Sequence, residues 1–309
     1  MKPTYASILC ASLVCFHCAT PSPKTRPPTA TAEPVAEVVR AFRSENTPRM
    51  IDGVPGESSL EPQARDAWCE RLVPLAEAHL ARPGDRIEKR GACAVELYPA
   101  ATEQRVPDVH VRFDAAAFFR KPYAAASYDA STRTLFLPLD ALEAAWNEVP
   151  ATVHEWGHAA IHARARTGDP IAAALATRIS GPAYRPDPFH VDELPINLCD
   201  VLRARERGGE PQPWQLPMVR TFLAALESEL AAMKELRGTR ETLDGMEGTR
   251  LETTNGISRW VGGRDLANSL AVLERVRVDT GKAIELLEAP VLDANRVRAL
   301  HPFDHGVCL

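Results

Sequence analysis

Val153-His154-Glu155-Trp156-Gly157-His158-Ala159 decides how the rest of this 309-residue sequence is read, because it sets His-Glu-x-x-His inside a helical pattern. On an α-helix, residues four apart lie one turn above each other on the same face. His154 and His158 can therefore direct two imidazole nitrogens at one ion. Zinc suits such donors, and a catalytic zinc usually has three protein ligands and a water. Glu155 follows the first histidine directly, which places its carboxylate beside the open position as a general base. Zinc lowers the pKa of a bound water to about 7, so the pattern implies metal-assisted hydrolysis of a peptide or other amide.

Working outward, Asn147 or Val149, with Pro150, marks the start of the histidine helix, which runs to about Thr167 and is stopped by Gly168. Trp156 reads as a packing residue on it. Asp169-Pro170 is a cap and first-turn pair for a helix over Ile171 to Ser180, ended by Gly181-Pro182. Asp192 caps a third helix, Glu193 to about Arg207, closed by Gly208-Gly209; Pro195 is tolerated because it lies in the first turn. Upstream, Ala92 to Tyr98, Val109 to Phe113 and Thr134 to Leu137 alternate as strands of a small sheet. The turn Tyr128 to Arg133 leads into the last of them, which as an edge strand could pair with an extended substrate. Asp140 with Glu143 reads as a capping box starting a short helix through Trp146.

Further out, Glu33 to Arg43 has a helical pattern, followed by a loop punctuated by Gly and Pro through Glu57. Leu60 to Ala81 reads as a packing helix with Pro74 inside it. Beyond Pro213 the spacing predicts long helices, over Met218 to Leu236 and Leu266 to Val276. Between them the polar stretch Thr249 to Arg264 reads as a surface loop or part of a substrate wall.

Two histidines need a third protein ligand, and the candidates are His162, His190, Asp192 and Glu193. His162 lies four residues beyond His158, yet three successive helical turns do not all meet one tetrahedral ion, which leaves it beside the ligands rather than among them. Arg164 and Ile161 stand where the metzincin pattern has histidine and glycine. Tyr184 and His190, in the loop before Glu193, are the nearest donors for the oxyanion formed in acyl transfer. His301 and His305 flank Pro302 and read as tail residues.

The histidine helix after a strand, followed by the helix from Glu193, resembles the zincin-fold metallopeptidases of the gluzincin kind over about Tyr128 to Arg207. The resemblance implies an α+β zincin-like fold, with a small mixed or antiparallel sheet and a mainly helical C-terminal part. It also implies that Glu193 is the third zinc ligand and that Asn197, one turn on, steadies an imidazole as acceptor. Pro195 departs from that pattern and keeps Asp192 and His190 open as ligands.

A 45% hydrophobic, 25% charged composition is that of a folded globular chain. The net charge of −5, without basic runs and with 6% aromatic residues, argues against a nucleic-acid partner, and the motif implies a peptide or protein substrate. Lys2 and the short apolar stretch Tyr5 to Phe16 read as a secretory signal. Cys15 or Cys18 is a candidate lipid attachment site, followed by a Pro-rich tether over Ala19 to Pro34. The expected division is 1–18 signal, 19–58 tether and N-terminal extension, 59–209 catalytic domain and 210–309 helical region. Cys69, Cys93, Cys199 and Cys308 remain in the mature chain, enough for two disulfides in an exported protein with three pairings open. The expected protein is an exported zinc peptidase, secreted or held at the cell envelope by a lipid. A non-catalytic zinc-binding or ligand-binding lipoprotein is the alternative.

Overall fold

The computed structural model describes residues 35–51, 54–100, 108–120, 125–179, 189–235, 239–243, 246–252, 258–262 and 265–300. The expected signal and tether through Pro34, and Tyr184, His301, His305 and Cys308, lie outside them. Everything described belongs to one compact unit from Pro34 onward. No helix among the described residues is long and apolar enough to cross a membrane.

The chain begins with α1 (Val35–Glu45), a hairpin of β1 (Pro48–Ile51) and β2 (Val54–Ser58), and α2 (Pro62–Leu80). The hairpin replaces the expected loop; Asp52-Gly53 between the strands is a strong short hairpin signal. The central sheet follows with β3 (Arg86–Arg90), β4 (Ala94–Tyr98), β5 (His110–Asp114), the short α3 (Ala115–Arg120), β6 (Ser127–Asp129) and β7 (Thr134–Phe136). Its order is β3-β4-β5-β7-β6, antiparallel except where β5 meets β7. The architecture is thus α+β with a small mixed sheet. One expectation is corrected here: Thr134–Phe136 is an interior strand, and the free edge is β6, from within the supposed turn. Asp129 explains this, since it ends the strand by accepting bonds from the Ser131 amide and hydroxyl, so the turn proper begins only after it.

A 3-10 turn, Leu139–Leu142, stands where the capped helix was expected. Asp140 and Glu143 make no cap because both face Arg43 of α1. The histidine helix α4 (Pro150–Arg166) then starts at Pro150 as read. It ends before Gly168, whose φ of +88° favours a residue without Cβ. α5 (Pro170–Leu175) is capped by Asp169, which accepts from the Ile171 and Ala172 amides. It is shorter than predicted, because Arg178–Ile179 leaves it as β8 to pair with β9 (Phe189–His190). α6 (Glu193–Glu206) and α7 (Gln215–Glu235) follow, and then β10 (Thr239–Leu243), β11 (Met246–Glu252) and β12 (Ser258–Gly262) form an antiparallel sheet where a loop was expected. α8 (Asp265–Glu288) and α9 (Ala294–Arg298) close the described chain.

Two apolar cores result. One gathers α1, α2, the central sheet and the 3-10 turn around Phe42, Leu72, Phe113 and Leu135, and takes Trp156 and Ala159 from α4. The other gathers α5 to α9 around Leu194, Leu202, Leu226 and Val276, and takes Ile161 from α4. The histidine helix is therefore the element that both cores share. The Cys69–Cys93 disulfide ties α2 to the start of β4, and Cys199 is also disulfide-bonded.

Candidate metal centre

α4 and α6 pack face to face at Gly157, where a Cβ would stand 3.1 Å from Ile196 Cγ1. This approach brings the two elements' polar faces together. His154 Nε2 and His158 Nε2 each lie 3.5 Å from an oxygen of Glu193, on separate oxygens of the one carboxylate. The three side chains offer ligand atoms all within 4.8 Å of one another. Among the described residues no fourth His, Cys, Asp or Glu joins this group. The structure thus brings together His154, His158 and Glu193, and places Asp192 and His190 outside the trio.

Each imidazole is held from behind. His154 donates through Nδ1 to Asp200 Oδ2 at 2.6 Å, and His158 through Nδ1 to Asp192 Oδ2 at 3.0 Å. With both Nδ1 atoms donating to carboxylates, the Nε2 lone pairs of the neutral rings are left facing the space shared with Glu193, the arrangement in which a carboxylate fixes the tautomer of a ligating imidazole. Asp200 is itself held by Arg203. Asn197 differs from its expected role: its Nδ2 donates to Glu193 Oε2 at 2.9 Å and to the Glu193 carbonyl at 2.8 Å, so it orients the carboxylate instead of an imidazole. Asp192 also differs, making no side-chain cap on α6 because its carboxylate is taken by His158. Sequence reading missed Asp200, although Glu193, Asn197 and Asp200 at i, i+4 and i+7 share one helical face.

The protonation preferences follow from this crowding. Burial draws the His154 imidazole downward, but Asp200 and Glu193 outweigh it and raise its pKa to about 10. His158 is likewise raised, with burial opposed by Asp192 and Glu193. Burial pushes Glu193 upward, yet the two histidines and Asn197 bring it below the ordinary glutamate value. Glu155 moves the other way: burial raises it, with the histidines opposing. The Tyr128 backbone on β6 also draws it downward, by less than the histidines do.

A cleft of about 600 Å³ runs between β6 and two members of the trio, lined by Ser127, Tyr128, Glu155, His158, His190 and Glu193 among others. His190 stands on its wall with its ring 6.0 Å from that of His162, and His162 Nε2 lies 3.6 Å from Asp192 Oδ2. His162 thus backs the site through Asp192, and Tyr128 packs on its ring. Trp156 is buried against Trp146 and takes no part in the cleft. The donors fit a borderline metal with nitrogen and oxygen preferences: two neutral-capable imidazoles and one carboxylate, each oriented by a further polar group. Comparison with known protein families, with curated proteins and with solved structures finds no match to this chain.

Proposed function

We propose that this chain is an exported zinc-dependent peptidase of zincin type, in which His154, His158 and Glu193 hold the metal and Glu155 is the general base. The observation that carries the proposal is the convergence of both Nε2 atoms on the Glu193 carboxylate at 3.5 Å, with Glu155 lining the same cleft. Zinc supplies Lewis acidity at such a site, polarising a carbonyl and making water acidic near neutral pH. Asp200 and Asp192 hold the two imidazoles in one tautomer, and Asn197 holds Glu193. Glu155 takes the proton from the attacking water and hands it to the leaving amine; its raised pKa suits a group that must do both near neutral pH. The edge of β6 offers backbone groups to an extended peptide, and His190 is the donor for the oxyanion.

The disulfides support export, since such bonds persist in oxidising compartments. With the apolar stretch Tyr5 to Phe16 and the cysteines beside it, they favour a secreted or lipid-tethered protein. A non-catalytic zinc protein is the second reading; it calls for a closed fourth position, and among the described residues three side chains make up the group.

The deciding test is zinc content by elemental analysis of the purified mature chain, beside cleavage of an unbiased peptide mixture. One zinc per chain, lost in Glu193→Ala, with cleavage abolished and zinc retained in Glu155→Gln, is the expected result. Absence of zinc from the wild type under metal-replete conditions overturns the proposal.

A further inference from the structure

A second cavity, of about 410 Å³, opens on the other side of Glu155. His154 and Glu155 line it together with residues from the start of α4, from α6 and from the α6–α7 connection. Its size falls within the range of pockets that enclose a small ligand or a single large side chain. Pro150, Ala151, Val153, Ala204, Pro211 and Trp214 form its apolar wall. Trp214 is 55% exposed, one of few large apolar side chains in the described chain left so open, and it lies outside the stretch on which the zincin resemblance rests. Trp214 does not stand alone but continues the apolar lining of Pro150, Ala151, Val153 and Pro211, and a contiguous apolar wall that includes an open indole is a recognition surface.

The charges around the cavity decide what it accepts. Arg203 is engaged with Asp200, which in turn holds His154, so that guanidinium is committed to the metal centre. Glu148, Arg207 and Glu210 are exposed, and their charges remain hydrated. The half-buried acids on the lining are already committed, Asp200 to His154 and Arg203 and Glu155 to the reaction itself, so neither is left to pair with a charged side chain.

Resting on the peptidase reading, we infer that this cavity is the specificity pocket, that Trp214 is its determinant, and that its occupant is an aromatic side chain of the substrate residue flanking the scissile bond. The aromatic ring stacks on the indole while Pro150, Ala151 and Val153 close around it, and the adjoining amide is delivered to Glu155 and the histidines. Aliphatic side chains fill the space without the stacking contact, and acidic ones meet Glu148 and Glu210.

Two readouts test this on the full mature chain. The first compares cleavage of peptides differing only in Phe or Ala at that residue, by wild type, Trp214→Phe and Trp214→Ala. Wild type and Trp214→Phe should prefer Phe by about tenfold or more, whereas Trp214→Ala should lose most of that preference. Zinc content and circular dichroism should be unchanged in both variants, since Trp214 touches neither core. The second measures binding of the Phe peptide by calorimetry to Glu155→Gln, with and without Trp214→Ala; the second substitution should weaken binding about tenfold. Cleavage by the wild type with a preference that Trp214→Ala leaves intact overturns the pocket and leaves the peptidase standing. Binding that depends on Trp214 without cleavage by the wild type overturns the peptidase and keeps the pocket. Neither binding nor cleavage overturns both.

Discussion

Asp200 and Asp192 each carry one imidazole, and their removal separates orientation from ligation. Asp200→Asn and Asp192→Asn should each weaken zinc binding by about 10- to 100-fold while leaving the three ligands in place, as measured by competition with a chromogenic chelator. The His154 pair at 2.6 Å is the shorter of the two. The two histidines were legible from the sequence because a spacing of four puts them on one helical face. The groups behind them were not, since they depend on which residues of α6 turn toward α4. Asp192 shows why: at a helix start a short acid reads as a cap, and only tertiary packing reveals that His158 has claimed it. Tyr184 lies outside the described residues, so His190 alone of the two expected oxyanion donors is placed, on the cleft wall.

Among the elements, the contact of α4 with α6 sets the distance between the histidines and Glu193. Gly157→Val should destabilise the fold by about 1–3 kcal/mol, because its branched side chain must displace Ile196, which already meets the position of a Cβ at 3.1 Å. The same displacement moves Glu193, so zinc affinity should fall together with the melting temperature. The connection after α4 offers a second test. Asp169 caps α5, and although burial raises its carboxyl, the Ala172 and Ile171 amides and Arg164 bring it below the ordinary aspartate value. Its stabilising contribution is then fully present above about pH 4 and fades as pH falls through the lowered value. Asp169→Asn should remove that part of the acid dependence of thermal unfolding, and Asp169→Ala should cost about 1 kcal/mol at neutral pH. Most helices could be read from spacing and punctuation, with α8 extending well past its predicted end. The short strands fared worse: β3 reads Arg-Ile-Glu-Lys-Arg, whose charges suit an exposed sheet edge and hide the strand, and β6 has three residues.

For the whole molecule, the two cores have different fastenings. The Cys69–Cys93 bridge closes a loop with a sequence separation of 24 within the first core, joining α2 to the sheet. Replacing both cysteines with serine should lower stability by about 2–4 kcal/mol, read as a fall in the midpoint of reversible thermal unfolding. Even pairing of cysteines was legible from their number, but the partners were not, since they follow from how α2 lies against β4. The sharing of α4 was equally hidden, because its two faces look alike in hydrophobicity and only the placement of Trp156, Ala159 and Ile161 assigns them to different neighbours. That sharing has a temporal side. A helix clamped from two directions has no partial opening of its own, so its amides should exchange with deuterium only when the entire chain lets go, and more slowly than those of α1 or α9. On the proposed peptidase reading, the segment that would do the cutting is also the last one a neighbouring copy could digest.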